Sequence, residues 1–162
     1  MIKNKFTKNS VIDYYIFIDY SERLVGYMII QKEKIKGLLP RISKLHHYKD
    51  IKYKKAYIQS IKKVFEKNKI DDCLFKFKSK ELKDNLSIFI DIIDFVKKYD
   101  NCVIFISVDN NQFISFTKLL DMIPHKDHIT IFKESDLKKE SIEYRLSLII
   151  DTKLNIERLR NE

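Results

Sequence analysis

The continuous apolar run at residues 102–108, Cys-Val-Ile-Phe-Ile-Ser-Val, constrains the fold more than any other segment. A strand with one face in water alternates apolar and polar side chains, whereas a continuous apolar run is typical of a strand that is covered on both faces. Residues 80–99 and the segment after Asp109 both have apolar side chains at helical spacing. The combination predicts an α/β fold in which helices cover a sheet.

Two more apolar segments predict that the sheet opens with a hairpin. Residues 13–19 and 24–31 are rich in Ile, Tyr and Val, and a short polar link separates them. A parallel pair would need a long crossover, so the two strands are predicted to be antiparallel. Residues 33–38 are predicted to add a short third strand, and residues 73–78 and 128–133 are predicted to be later strands.

The remaining segments predict helices. From Pro40 to about Lys69 the apolar residues recur every three or four positions, and a final helix is predicted from Asp136 or Leu137 to about Leu159. Strands and helices therefore alternate after the hairpin, which favours a mixed sheet flanked by helices.

Length and composition predict a single domain over residues 1–162, with residues 1–12 as a flexible arm. No stretch approaches the roughly 18 apolar residues of a membrane span, and the N-terminus lacks the apolar core of a signal peptide. We therefore expect a cytoplasmic protein without a membrane partner. Cys73 and Cys102 adjoin apolar residues and are predicted to be buried thiols rather than a disulfide. The sequence leaves the oligomeric state open.

The net charge of +9 is distributed unevenly along the chain. Residues 1–70 hold 17 basic and 6 acidic residues, a net of +11, whereas residues 71–162 hold 15 and 17, a net of −2. Such asymmetry is typical of a protein that binds a polyanion, so nucleic acid is a predicted partner. The alternative is the lysine-rich usage of an AT-rich genome, such as that of a thermophile.

Basic and aromatic residues are concentrated in the first predicted helix. Lysines that alternate with tyrosines could bind phosphates while the rings stack on bases, although a solvated helix face would have the same composition. The nearby pair His46-His47 is expected to lie on the surface. The predicted nucleic-acid-binding residues are Lys49, Lys52, Lys54 and Lys55.

Three aspartates are the candidate catalytic and metal-binding residues. Asp19 and Asp109 each end an apolar strand, and the carboxyl ends of neighbouring parallel strands lie at one edge of a sheet. Asp151 lies on an apolar face of the last predicted helix, where an unpaired charge would cost several kcal/mol. A divalent cation would allow such carboxylates to stay ionised and close together. Glu22 and Glu134 are possible fourth ligands.

The ligand chemistry favours Mg²⁺ or Mn²⁺, because hard cations prefer oxygen ligands. Two such ions about 4 Å apart can activate water and stabilise the leaving oxygen in phosphodiester cleavage. Each aspartate also has a structural alternative. Asp19 could cap a turn, Asp109 could be a helix N-cap, and Asp151 could pair with Arg145 or a lysine.

The motifs Ile16-Phe17-Ile18-Asp19-Tyr20-Ser21, Ile106-Ser107-Val108-Asp109-Asn110 and Leu148-Ile149-Ile150-Asp151 resemble those of the ribonuclease H-like superfamily. The closest resemblance is to an uncharacterised branch with an Ile-Asp-x-Ser motif in its first strand. The resemblance implies a ribonuclease H-like mixed sheet opened by an antiparallel hairpin. It also implies that a first strand, a later strand and the last helix each supply one carboxylate.

These observations predict a divalent-metal-dependent nuclease, or a related phosphoryl-transfer enzyme, that acts on DNA or RNA. The alternative is a ribonuclease H-like module without catalytic activity that binds nucleic acid or another protein. A chain with two glycines, Gly26 and Gly37, holds no Gly-rich phosphate loop, which argues against nucleotide-binding functions of that type.

Overall fold

A computed structural model describes residues 11–123 and 129–160. Within these ranges the chain forms a five-stranded mixed sheet flanked by α-helices, with strand order β3-β2-β1-β4-β5. The strands are β1 (Tyr14–Ser21), β2 (Leu24–Gln31), β3 (Lys76–Glu81), β4 (Cys102–Ile106) and β5 (Ile129–Lys133). The helices are α1 (Lys32–Leu38), α2 (Lys54–Lys67), α3 (Asn85–Lys98), α4 (Asn110–Asp121) and α5 (Ile142–Arg160).

The predicted antiparallel hairpin is confirmed as β1 and β2. Glu22 and Arg23 form the turn between them, and Glu22 adopts a φ of 49°. On its other side β1 pairs in parallel with β4, and β4 pairs in parallel with β5. β1 and β4 are therefore neighbours whose carboxyl ends lie at the same edge of the sheet.

Alternation along β1 directs its side chains into two different cores. Phe17 belongs to the core that the sheet forms with α1, α2 and α5, and Ile16 and Ile18 belong to the core formed with α3 and α4. Residues two apart in a strand share a face, so Asp19 and Ser21 face α5.

β2 approaches α5 closely at Gly26, which pairs with Asp19 across the hairpin. A Cβ atom added at Gly26 would lie 2.7 Å from Leu154 Cδ2 of α5 and 3.1 Å from the Lys78 carbonyl oxygen. Glycine is needed at this position because α5 occupies the space of a side chain.

The segment after β2 differs from the prediction. Residues 33–38 were expected to form a third strand, but α1 follows β2 directly. Ile35 and Leu38 are the buried residues of this segment, and their separation of three positions is the period of a helix.

The predicted helix from Pro40 to Lys69 is divided. A 3₁₀ turn covers Leu39–Ile42, a second covers Tyr48–Asp50, and regular α-helix begins only at Lys54. The segment between the turns is fixed by contacts with other elements, including hydrogen bonds that join His46 to the Tyr57 hydroxyl. Such long-range contacts override the local helical pattern.

The last helix begins at Ile142, later than predicted. A 3₁₀ turn at Glu134–Asp136 precedes it, and the Ser141 hydroxyl accepts a hydrogen bond from the Tyr144 amide at 3.1 Å. Ser141 therefore acts as the N-cap.

The expected arm is only partly described. Residues 1–10 lie outside the described residues, and Ile12 is buried in the core on the side of the sheet that α1, α2 and α5 cover. No helix among the described residues is long and apolar enough to cross a membrane. Cys73 and Cys102 are free thiols, of which Cys102 is buried and Cys73 is half-buried.

Candidate carboxylate site

Asp19 is a buried carboxylate near the carboxyl end of β1, with 5% of its surface exposed. Its Oδ1 accepts a hydrogen bond from the Tyr20 amide at 2.8 Å. Its Oδ2 is buried and has no hydrogen-bond partner of good geometry among the described residues. A buried polar atom left in this way costs about 1–3 kcal/mol.

Several charges act on the Asp19 carboxyl. Burial raises its pKa well above the ordinary value, and the negative charges of Glu134 and Asp151 raise it further. The Tyr20 amide and the nearby Ser107 hydroxyl oppose this shift. Asp19, Glu134 and Asp151 are therefore close enough to interact electrostatically, although they come from β1, the turn after β5 and α5.

Asp151 is the second buried carboxylate, with 6% of its surface exposed. Its Oδ2 accepts a hydrogen bond from the Tyr48 amide at 2.8 Å, and its Oδ1 lies 3.8 Å from His47 Nε2. Burial raises the pKa of Asp151, while the Tyr48 amide, His47 and Lys49 lower it. Asp151 thus fixes the loop before α2 in position, in addition to lying near Asp19.

The two predicted fourth ligands have different surroundings. Glu134 is half-buried in the turn after β5, and its charge raises the pKa of both Asp19 and Tyr144. Glu22 lies in the hairpin turn, where its carboxylate is 3.5 Å from Arg158 Nη1. Glu134 is therefore the member of this pair that contributes to the buried carboxylate group.

Asp109 has a structural role that the sequence had allowed. It is exposed, and its Oδ1 accepts a hydrogen bond from the Gln112 amide at 2.8 Å, which makes it the N-cap of α4. Asn110 and Asn111 lie inside that helix. Asp109 follows β4 and precedes α4, which packs on the face of the sheet opposite α5. Burial raises the pKa of Tyr20 to about 12, and the negative charge of Asp109 contributes to this shift.

The described part of the chain contains no group of three or more His, Cys, Asp or Glu side chains that could hold a metal ion together. The donor set that does come together is two buried carboxylates with a half-buried third nearby. Mg²⁺ is often held by one or two protein carboxylates, with waters and substrate phosphates as its other ligands. By that smaller requirement the candidate ligands are Asp19 and Asp151, whose charges interact with each other, with the Ser107 hydroxyl also near the Asp19 carboxyl.

The predicted nucleic-acid-binding lysines are exposed, and they lie on the loop of residues 43–53 that contacts Asp151 or at the start of the helix that follows it. Lys49 and Lys52 lie on the loop before α2, whereas Lys54 and Lys55 begin α2. The prediction had assigned all four to one helix. The loop also carries Tyr53, whose surface is 71% exposed.

A buried polar network beside the carboxylates was missed by the sequence analysis. Arg158 of α5 is 6% exposed and donates hydrogen bonds from Nε to Ser21 Oγ at 3.1 Å and from Nη2 to Asn155 Oδ1 at 3.0 Å. The signal was present, since residues 151, 155 and 158 are spaced four and three apart, which places them on one face of the last predicted helix. The network joins the end of α5 to the end of β1.

His47 was also missed, because a pair of adjacent histidines gives no local signal of a partner. His46 is exposed as expected, but His47 is half-buried and its Nδ1 accepts a hydrogen bond from the Lys49 amide at 3.4 Å. This contact helps to orient Nε2 toward Asp151.

Neither a protein-family model nor a curated protein sequence matches this chain. The function must therefore be argued from the chemistry of the site itself.

Proposed function

We propose that the chain is a divalent-cation-dependent nuclease in which Asp19 and Asp151 bind the cation. The observation that carries the proposal is the buried Asp19 Oδ2, which has no partner of good geometry among the described residues and experiences the negative charges of Glu134 and Asp151. Such a carboxylate either takes up a proton or binds a cation. A cation would favour its ionised form and relieve the repulsion among the three acidic groups.

The roles of the residues follow from their positions. Asp19 and Asp151 would hold Mg²⁺ or Mn²⁺, and half-buried Glu134 would add negative charge or hold a coordinated water. Lys49 and Lys52 would neutralise the phosphates of the bound strand. When bound, the cation supplies an activated water and stabilises charge on the phosphoryl oxygens.

The resemblance to the ribonuclease H-like superfamily agrees with this proposal. The opening antiparallel hairpin carries Asp19, β4 is followed by Asp109, and the last helix carries Asp151. In the proposal Asp109 remains a candidate third ligand. To bind a cation at the Asp19 site it would have to release the Gln112 amide, at a cost of about 1 kcal/mol.

The test is cleavage of single- and double-stranded DNA and RNA with Mg²⁺ and with Mn²⁺. We compare the wild type with Asp19→Asn and with Asp94→Asn, because Asp94 is an exposed aspartate on α3. Cleavage should need the cation, fall at least about a hundredfold in Asp19→Asn, and stay unchanged in Asp94→Asn. Cation binding should show separately as a rise in melting temperature that Asp19→Asn abolishes.

Cleavage by the wild type that Asp19→Asn leaves unchanged would exclude the assigned site. The second candidate function is a nucleic-acid-binding module without activity, favoured because the described residues contain no group of three metal-ligating side chains. It predicts salt-sensitive binding to nucleic acid with no cleavage under any cation.

A further inference from the structure

A cavity of about 450 Å³ lies between the loop before α2 and the first half of α5. Its volume is in the range of small-molecule sites. His47 lines this cavity, and its Nε2 lies 3.8 Å from Asp151 Oδ1. The cavity is thus next to the carboxylate site.

The lining of the cavity combines rings, aliphatic groups and charged groups. Tyr144 and His46 supply rings, and Ile51 and Leu148 supply aliphatic surface. Lys52 and Lys139 supply positive charges, and Asp50 supplies a carboxylate that can accept a hydrogen bond from a ligand. A flat aromatic ligand with hydrogen-bonding edges and a neighbouring anion satisfies all three kinds of group. A free phosphate would leave the rings and aliphatic groups unused.

α5 connects the cavity to the carboxylates. Leu148 and Tyr144 lie three and seven residues before Asp151 on this helix. Burial raises the pKa of Tyr144, and so do the charges of Asp50, Glu134 and Asp151. The phenol of Tyr144 is therefore close to both the cavity and the proposed cation site.

We infer that this cavity binds an unpaired base of a single-stranded nucleic acid, with the adjoining phosphate on the side of the cavity where His47 contacts Asp151. The inference rests on the proposed function and adds its substrate class. A base in a duplex is stacked and paired, and it would have to be extruded before it could enter. A base in a single strand is free to enter the cavity and stack there.

The exposed ring of Tyr53 favours the same substrate. Lys52 Nζ lies 5.4 Å from the centre of this ring, so a base stacked on Tyr53 would have a cation beside its phosphate. Exposed aromatic rings with neighbouring lysines are a common feature of single-strand-binding surfaces. Tyr53 would then contact a base adjacent to the one in the cavity.

The experiment measures the anisotropy of fluorescent strands of roughly 12 nucleotides, a length that covers one binding site. Single-stranded DNA, single-stranded RNA, the duplex and a strand with abasic positions are each titrated with Asp19→Asn protein, which prevents cleavage. We expect the single strands to bind at least about fivefold more tightly than the abasic strand, because one stacked base contributes at least ~1 kcal/mol.

Two matched variants test the cavity itself. Ile51→Trp fills it without removing a backbone hydrogen bond and should reduce single-strand affinity at least about fivefold while duplex affinity is unchanged. Ile114→Trp is the control, because Ile114 is exposed on α4, across the sheet from the cavity. Circular dichroism confirms that both variants are folded.

Equal binding of intact and abasic strands, or equal effects of the two tryptophan variants, would overturn the inference. These results are separable from those that test the nuclease proposal, because binding is measured without cleavage. A preference for unpaired bases in a protein that cleaves nothing would support the base site and exclude the nuclease. Cation-dependent cleavage with no difference between intact and abasic strands would support the nuclease and exclude the base site.

Discussion

The two faces of the sheet differ in what they bury. On the face covered by α3 and α4 the core is built from apolar side chains such as Phe89 and Phe116. By contrast, the buried polar and charged residues of the described chain all belong to β1 or α5. They are Asp19, Ser21, Ser147, Asp151, Thr152, Asn155 and Arg158.

The contrast separates stability from function. Apolar burial on the α4 face stabilises the fold at about 25 cal/mol for each Å² removed from water. Buried polar groups on the α5 face contribute much less, since their hydrogen bonds mainly offset lost hydration. A protein keeps buried carboxylates when their chemistry is useful, and function commonly reduces stability in this way.

The largest expected effect is on the apolar face. Phe116 is fully buried, and its ring centre lies 5.0 Å from that of Phe89. Phe116→Ala should lower the free energy of unfolding by about 3–5 kcal/mol, through lost burial and a residual cavity. Urea denaturation measures this, with exposed Ile114→Ala as the control. Activity per folded molecule should not change, and a specific loss of activity would contradict the separation of the two faces.

A smaller loss is expected from the polar network. Arg158→Met removes the hydrogen bonds to Ser21 and Asn155 and the ion pair with Glu22, and leaves Ser21 and Asn155 with fewer partners, which should cost about 1–3 kcal/mol. Arg160→Met is the matched control, because Arg160 is exposed and its ion pair with Glu157 is worth at most about 1 kcal/mol. Equal losses in urea denaturation would show that the buried network contributes nothing beyond a surface ion pair.

Replacement of the Asp19 carboxyl group on the α5 face should raise the stability of the protein rather than lower it. The folded-state pKa of Asp19 is raised, so the folded protein holds this proton at pH values where the unfolded chain has lost it. Wild-type stability should therefore fall as pH rises from the ordinary aspartate pKa through the raised one. Asp19→Asn lacks this loss and should melt a few degrees higher at neutral pH, at about 2–4 °C per kcal/mol.

Melting curves between about pH 3 and pH 8, without divalent cations, measure the effect of Asp19→Asn, because this range spans the ordinary aspartate pKa of about 3.9 and values above it. The advantage of the variant should grow with pH, whereas Asp94→Asn should show no such trend. A constant difference across this range would mean that Asp19 is not the destabilising group.

The smallest stability effect is expected for Asp109→Ser. Serine is as good an N-cap as aspartate, so the free energy of unfolding should change by less than about 0.5 kcal/mol. The variant lacks the carboxylate, however, and cleavage assays then show whether Asp109 is also a ligand. Unchanged cleavage would limit Asp109 to capping α4, and a large loss would bring it into the site.

The sequence predicted those features that depend on local pattern or on simple topology. The hairpin, the buried strand at residues 102–106 and the helix around Asp151 follow from apolar runs and periodicity. The parallel pairing of β1 with β4 was a condition of the argument about Asp19, and the sheet satisfies it. Asp109 was predicted to be a metal ligand, with a helix N-cap as the alternative, and the cap that forms follows from its place before a helical stripe.

Features that depend on distant contacts could not be predicted in the same way. The segment around His47 has a helical pattern, but its conformation depends on Asp151, which lies about a hundred residues later in the chain. The charge of Glu134 acts on Asp19 only because β5 lies beside β4. No spacing in the sequence encodes either contact.

The close approach of α5 to Gly26 links this glycine to the carboxylate site, because the same helix carries Asp151. Leu154 fills the space above Gly26, and Gly26 lies directly across the hairpin from Asp19. A larger residue at Gly26 would displace the Leu154 side chain of α5 unless Leu154 became smaller in the same lineage. Relatives that keep the site should therefore vary at these two positions together or not at all.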